Sequence, residues 1–188
     1  MTALAETSTH DLQQQIAALR QEVADLRDRV AEDKAAIIVF SGDLDRLLAS
    51  LVIATGAAAA GLETTMFFTF WGLSALKRKE AATLAGKSFK EKLFTIMTPS
   101  STESMGVSKM NFFGMGAAML RTMMKEKNVS SVEEMFAMAR DLGVKMIGCT
   151  MSMDVMGVAP EQLVGDIELG GVATFMAEAA RARFSLFI

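Results

Sequence analysis

Apolar runs and amphipathic segments alternate along residues 35 to 188. Ala35–Phe40 is a continuous apolar run, which is typical of a strand buried on both faces. Ser41–Asp43 interrupts this run, and Asp43 stands where it can cap a helix that continues to about Ala60. Thr64–Phe70 then has the apolar and β-branched content of a second strand. The order strand, helix, strand predicts a parallel pairing.

The second half of the chain continues this alternation. Two helices are predicted over residues 114–127 and 132–142, and Ser130 or Ser131 can cap the second one ahead of its acidic first turn. The later elements are a strand at 144–147, a short helix at 160–164, a strand at 167–169, a helix at 171–183 and a strand at 184–188. We therefore predict an α/β fold with a doubly wound, mostly parallel sheet of about five strands.

Residues 9 to 34 follow a heptad pattern instead. With Ile16, Val23 and Val30 at a, the d positions are Leu12, Leu19 and Leu26. β-Branched residues at a with Leu at d favour a parallel two-stranded coiled coil, and Glu22 at g can reach Arg27 at e of a partner helix. We predict a tail and coiled-coil helix over 1–34, an α/β domain over 35–188, and a homo-oligomer. The alternative is one amphipathic helix packed on its own domain.

Composition narrows the class of protein. Leu47–Leu62 is uncharged and mostly apolar, but it is shorter than the roughly 20 residues that a spanning helix needs. The polar and charged residues before Ala35 lack the apolar segment of a secretory signal. A net charge of −3 gives no reason to expect nucleic acid, and a single cysteine indicates a reducing compartment. We expect a soluble cytoplasmic protein without peripheral membrane association.

Cys149 is the candidate reactive group, because it is the only cysteine and follows the predicted strand at 144–147. Open α/β sheets hold ligands at the carboxyl ends of their strands, and N–H groups of a following helix would favour the thiolate. The only histidine, His10, lies in the tail, so a Cys–His pair within the domain is excluded. Such a thiol suits the acceptance and release of a sulfur atom by thiolate exchange. The alternative is an inert buried cysteine.

No cofactor or resident metal is expected from the remaining motifs. The chain has neither a dinucleotide-binding glycine fingerprint after a strand nor a Walker lysine, and its zinc ligands are too few. An alternative hypothesis is that a cluster of soft ligands binds Cu(I), formed by Cys149, Met151, Met153 and Met156. Sulfur transfer therefore stands beside two alternatives, an oligomeric adaptor with an inert cysteine and a Cu(I)-binding protein.

Three ordered motifs resemble one family of proteins. They are F-F-T-F-W-G-L at Phe67–Leu73, K-M-N-F-F-G-M-G at Lys109–Gly116 and G-C-T-M-S-M-D-V-M-G at Gly148–Gly157. Together they resemble the DsrE/DsrF/DsrH-like sulfur-trafficking proteins, and more narrowly the DsrE-like subgroup often labelled "peroxiredoxin family protein". The resemblance covers about Lys34–Ile188.

This resemblance implies a function for the thiol. It implies a three-layer α/β fold, an oligomeric assembly and a persulfide carried on Cys149, so the chain would be sulfurtransferase-like. Relatives exchange sulfur with rhodanese-type donors and small TusA-like carriers, which are the partners that the resemblance implies. Some relatives use an additional cysteine, which this chain lacks.

Five further residues are expected to support the site. Gly148 would let the backbone turn closely, and Thr150 with the N–H groups after it would stabilise the thiolate. Asp154 would cap the helix or orient the loop, and Trp71 and Met151 would shield the thiol.

By resemblance, the loop near Thr98–Asn111 and the edge at Trp71 would surround the thiol. Lysines between Lys77 and Lys92 offer a candidate docking surface for an acidic carrier.

Overall fold

A computed structural model gives the fold of this chain and describes residues 2–78, 102–109 and 114–188. The chain divides into two compact units, Met1–Glu32 and Asp33–Ile188. The first unit is built on one long helix, α1 (Thr2–Arg29). Its hydrogen bonding continues one residue further, because Val30 N donates to Leu26 O at 3.0 Å.

The second unit alternates strands and helices in the predicted order. Its elements are β1 (Glu32–Val39), α2 (Leu44–Ala59), β2 (Glu63–Phe68), α3 (Met115–Glu126), α4 (Val132–Asp141), β3 (Lys145–Cys149), α5 (Thr150–Met156), β4 (Glu168–Gly170), α6 (Val172–Ala179) and β5 (Ala182–Phe187). Short 3₁₀ helices lie at Phe70–Leu76, Thr102–Ser104 and Pro160–Gln162. Each predicted strand is present, with its ends shifted by one to three residues.

The five strands of the described residues form one parallel sheet in the order β4-β3-β2-β1-β5. Ile38 on β1 pairs with Phe67 on β2, which places Phe67 beside Ile147 on β3. β5 lies on the other side of β1, where Ile188 N donates to Ile38 O at 2.9 Å. The α/β fold with a five-stranded parallel sheet is thus confirmed.

The strand order determines which helix covers which face. β1 to β4 progress in one direction across the sheet, so right-handed connections place α2, α4 and α5 on one face. The chain then returns across the whole sheet to β5, and this reversal places α6 on the opposite face. Side chains along each strand alternate between the two faces of the sheet. Ile37 and Phe68 pack in the core on the side of α2, α4 and α5, whereas Ala36 and Phe67 pack in the core on the side of α6.

Local signals explain the helix boundaries. Ser131 begins α4 with a capping box, because its hydroxyl accepts from Glu134 N at 3.2 Å while Glu134 Oε2 accepts from Ser131 N at 2.7 Å. Asp43 occupies the N-cap position of α2, but its side chain makes no capping bond. Its carboxylate instead accepts from the Ser41 hydroxyl at 2.8 Å. Among the described residues, no helix is both long and apolar enough to cross a membrane.

Part of the predicted loop region lies outside the described residues. Of Thr98–Asn111, the structure describes residues 102–109, and the lysines after Arg78 up to Lys92 are outside it. The segment that is described packs on the domain, because Met105 is buried and Ser108 N donates to Asp45 Oδ1 at 2.9 Å.

Candidate functional site

Cys149 is the last residue of β3 and the N-cap residue of α5. Its strand is interior to the sheet, and the register pairs Cys149 with Gly170, the last residue of β4. The thiol therefore stands at the carboxyl edge of the sheet, as the sequence predicts. It is free and has no solvent-exposed surface.

The thiol is enclosed by apolar side chains on the α6 face of the sheet. Ala36, Phe67, Ile147 and Phe175 form the buried cluster around it, and Ile38, Ala179 and Ala182 pack at its margin. The Phe175 ring stacks on the Phe67 ring with centroids 5.0 Å apart and an interplanar angle of 24°. Phe175 thus brings α6 over the part of the sheet that contains the thiol.

The first turns of α6 pack closely on the strand end beside Cys149. A Cβ atom added to Gly170 would lie 3.1 Å from three side-chain atoms of Thr174, a separation tighter than ordinary van der Waals contact. The absence of a side chain at Gly170 therefore lets α6 pack close to β4. Gly171, the next residue, has open space at the same position.

The other end of α6 is held by ion pairs. Glu178 Oε2 accepts from Lys34 Nζ at 3.1 Å and Glu178 Oε1 accepts from Lys145 Nζ at 3.3 Å, so one carboxylate bridges β1 and β3. Lys145 Nζ also lies 3.1 Å from Glu168 Oε2. These contacts lie at the amino ends of the strands, opposite the edge that contains Cys149.

The ion pairs shift the protonation of both partners. The hydrogen bond from Lys34, with that from Lys145, lowers the pKa of Glu178 against the opposing effect of burial. The hydrogen bond with Glu168, with that to Glu178, raises the pKa of Lys145. Both groups are therefore charged over the neutral range and fix α6 to the sheet.

The structure does not bring the expected supporting residues together around the thiol. Trp71 and Met151 are exposed and do not belong to the buried cluster around the thiol, which Phe67 and Phe175 enclose instead. Trp71 stands near the end of β1, where a Cβ on Gly42 would lie 3.0 Å from Trp71 O. Thr150 is the exposed first residue of α5.

Two of these residues have positions that differ from the expectation. Gly148 lies inside β3, paired with Phe68 and Leu169, rather than in a turn. A Cβ there would meet Leu169 at 3.5 Å, which is ordinary contact. Asp154 is exposed and lies in the later part of α5, so it does not cap the start of that helix.

The sulfur atoms of the proposed copper cluster do not share a face. Met153 and Met156 are buried in the core formed by α2, α4 and α5, whereas Cys149 is buried on the α6 side. Met151 is exposed. This separation of the sulfur atoms disfavours the Cu(I)-binding hypothesis.

Phe175 and Glu178 are the site residues that the sequence analysis missed. Both lie in α6, whose sequence V-A-T-F-M-A-E-A contains one aromatic and one charged residue. A lone carboxylate in an otherwise apolar helix is a signal that it has a partner, but its partners are 144 and 33 residues away. Only the sheet order brings them together.

The fold and site define a class of protein, an α/β protein with a buried thiol at the carboxyl end of a strand. Residues 31–187 match the model of the DsrE/DsrF/DrsH-like family. The chain belongs to this family.

Three known proteins are similar to the chain. The uncharacterized protein YrkE of Bacillus subtilis is 43% identical over 155 residues, which are 82% of this chain and 96% of that protein. The sulfur carrier protein DsrE2 of Allochromatium vinosum is 32% identical over 165 residues, 84% of this chain and 99% of that protein. The crystal structure of the ychN protein from E. coli covers 82% of this chain and 98% of its own at 13% identity, with a TM-score of 0.47.

Proposed function

We propose that this protein is a sulfur carrier, in which Cys149 accepts sulfane sulfur as a persulfide and passes it to a partner protein. The observation that carries the proposal is the position of the only cysteine, at a strand end in a chain that resembles a protein named sulfur carrier along nearly its whole length. A reducing, cytoplasmic setting suits a protein whose one cysteine is free.

The exchange step requires only thiolate chemistry. The Cys149 thiolate attacks the outer sulfur of a donor persulfide, R–S–SH, and a new S–S bond forms on Cys149. The donor S–S bond breaks, its electron pair leaves with the R–S⁻ thiolate, and that thiolate takes up the proton. The sum is R–S–SH plus Cys–SH giving R–SH plus Cys–S–SH, with no net oxidation.

The absence of a second cysteine defines the release step. Because the chain has one cysteine, its persulfide cannot form an internal disulfide, and the sulfur leaves only when another molecule supplies a thiolate. We infer a rhodanese-type donor and a small TusA-like acceptor, the partners that the family resemblance implies. The protein thus acts as a sulfurtransferase-like relay within an oligomer.

Burial of Cys149 means that exchange requires an opening. The thiol has no exposed surface, and α6 covers its side of the sheet. We infer that α6 moves away from Phe67 when a partner exchanges sulfur with Cys149. An eight-residue helix has little stability of its own, so its contacts with the sheet decide how often it opens.

Intact-protein mass spectrometry tests the proposal. The protein is incubated with polysulfide, or with thiosulfate and a rhodanese, beside a Cys149→Ser control. We expect a gain of about 32 Da per sulfur on the wild type, reversed by a thiol reductant and absent in the control. A folded wild type that gains no sulfur, while denatured protein does, would contradict the proposal.

The opening is tested by the alkylation rate of Cys149 in two matched variants. Glu178→Gln and Glu168→Gln each remove a carboxylate partner of Lys145, but only Glu178 lies on α6. We expect alkylation about fivefold faster in Glu178→Gln and nearly unchanged in Glu168→Gln. Equal rates in both variants would mean that α6 does not control access.

The complete burial of Cys149 also favours a second candidate, an oligomeric adaptor with an inert cysteine. In that case folded protein would react no faster than its global unfolding allows, and Glu178→Gln would change reactivity only through global stability. Urea denaturation gives the free energy of unfolding and hence the alkylation rate that global unfolding allows, and a wild-type rate clearly above that limit distinguishes the sulfur carrier from the adaptor.

A further inference from the structure

The apolar seam of α1 is exposed along its length. Six large apolar side chains at heptad positions a and d have 47 to 65% of their surface exposed, namely Leu12, Ile16, Leu19, Val23, Leu26 and Val30. A contiguous apolar strip of this kind on a soluble protein marks an interaction surface. The seam is continuous because Val30 remains hydrogen bonded to Leu26 as the helix ends.

We propose that this seam binds the same seam of a second copy of this chain in a parallel, two-stranded coiled coil. This inference does not depend on the sulfur chemistry of Cys149. The spacing of the seam is that of a narrow a/d stripe, which fits the knobs-into-holes contact of two helices. The β-branched residues at a and the leucines at d are the combination that favours two parallel strands.

The charges beside the seam select a second copy in the parallel orientation. In a parallel pair, each g residue faces the e residue five positions later in its partner, so Gln15 faces Arg20 and Glu22 faces the arginine at position 27. An antiparallel pair in register places Glu22 near Glu22 and Arg20 near Arg20 of the other copy. Because these like charges would repel each other, two copies of this helix are expected to pair in the parallel rather than the antiparallel orientation.

The length of the seam predicts a moderate affinity. Nearly three heptads form a coil roughly 27 Å long, which is marginal for two isolated helices. The coil alone therefore pairs weakly, and contacts between the α/β domains of two copies would strengthen the pairing. Disulfide cross-linking detects a weak pair of this kind more reliably than a measurement of molecular size.

Disulfide trapping in the full chain tests the proposal. In a Cys149→Ser background, Leu12→Cys and Leu26→Cys place single thiols at two d positions, and Gln21→Cys places one at the outward f position. A parallel pair brings equal d positions face to face. We expect Leu12→Cys and Leu26→Cys each to form a disulfide dimer under mild oxidation, at least about fivefold more than Gln21→Cys.

Two outcomes would overturn the proposal. One is a dimer yield at the d positions equal to that of Gln21→Cys, which would mean that the seam meets some other molecule or none. The other is a Leu12→Cys chain that cross-links to a Val30→Cys chain but not to itself, which is the antiparallel geometry. Adding Leu19→Glu and Val23→Glu to Leu26→Cys should abolish its dimer, whereas Gln14→Glu with Gln21→Glu should not.

Discussion

The packing around Cys149 limits the room for a second sulfur. The thiol is enclosed by Phe67, Ile147 and Phe175, and protein interiors are packed as densely as organic crystals. A persulfide adds one large atom to this site. The loaded form is therefore expected to press against Phe175, so α6 would be less firmly held than in the thiol form.

Two buried serines near the carboxyl edge give a matched pair for a stability prediction. Ser74 Oγ is buried and has no hydrogen-bond partner in the part of the chain that the structure describes, whereas Ser152 Oγ lies 2.8 Å from Thr69 Oγ1. We expect Ser74→Ala to raise the free energy of unfolding by about 1 kcal/mol, because an unsatisfied buried hydroxyl is removed. Ser152→Ala should lower it by about 1 to 2 kcal/mol, because Thr69 loses its partner.

Urea denaturation of both variants beside the wild type measures this difference. A loss of stability in Ser74→Ala as large as that in Ser152→Ala would contradict the prediction. It would mean that the Ser74 hydroxyl has a partner in the folded protein.

At the scale of elements, α6 differs from the helices on the other face. α2 and α4 cover one face together, and both bury several apolar residues, whereas α6 buries only Phe175 completely. The stability of such a short helix comes from packing rather than from its own hydrogen bonds. Its two attachments are Thr174 against Gly170 and Glu178 with two lysines, and we expect them to control exposure of the thiol.

A pair of adjacent glycines tests the first attachment. In Gly170→Ala the new Cβ would lie 3.1 Å from the Thr174 side chain, which must give way by a few tenths of an ångström, whereas Gly171→Ala meets nothing within 4 Å. We expect Gly170→Ala to lose about 1 kcal/mol of stability and to speed Cys149 alkylation several-fold. Gly171→Ala should change neither property appreciably.

Alkylation of the two variants under native conditions, followed by mass spectrometry, measures the effect. If Gly170→Ala reacts at the wild-type rate, the close packing at Thr174 does not restrict the thiol. A crystal structure of the variant would then be expected to show Thr174 moved without displacement of Phe175.

At the scale of the whole molecule, ion pairs connect elements that are distant in sequence. Glu178 near the end of the chain bridges Lys34 on the first strand and Lys145 on the third, across β2. All three side chains are partly buried, so the pairs are screened somewhat less than fully exposed surface pairs. The packing of α6 over Cys149 is therefore expected to depend on the charge of Glu178 and of its two lysine partners.

The pKa shifts predict how stability depends on pH. Because the pKa of Glu178 is lowered by folding, its contribution is fully present above the ordinary glutamate pKa and is lost as pH falls through the folded pKa. Because the pKa of Lys145 is raised, its contribution is fully present below the ordinary lysine pKa and is lost as pH rises through the folded pKa. The ion pairs therefore stabilise the protein across the neutral range.

Urea denaturation at several pH values tests this coupling. We expect the wild type to exceed Glu178→Gln by about 1 kcal/mol at neutral pH, and the difference to shrink as acid protonates Glu178. Glu126→Gln on the exposed side of α3 provides the control. A difference that stays constant from neutral to acid pH would contradict an ionic role for Glu178.

Much of the fold was predictable from sequence, because a buried strand is visible in the sequence as an uninterrupted apolar run. Ala35–Phe40 and Val144–Ile147 are apolar without interruption, and the Ser131 cap marks its helix directly. The position of Cys149 at a strand end followed from the same local pattern. The residues around the thiol were not predictable, because Phe67 and Phe175 are separated by a long stretch of chain and meet only through the strand order.

The sequence by itself determined the alternation of strands and helices, the single cysteine and the heptad seam. These are periodic or compositional features, and neighbouring residues are enough to define them. The tertiary structure alone decided that the thiol is buried, that α6 covers its face and that Glu178 bridges two strands. The physical reason is that the return from β4 to β5 crosses the sheet, and no local pattern encodes which strands will be neighbours.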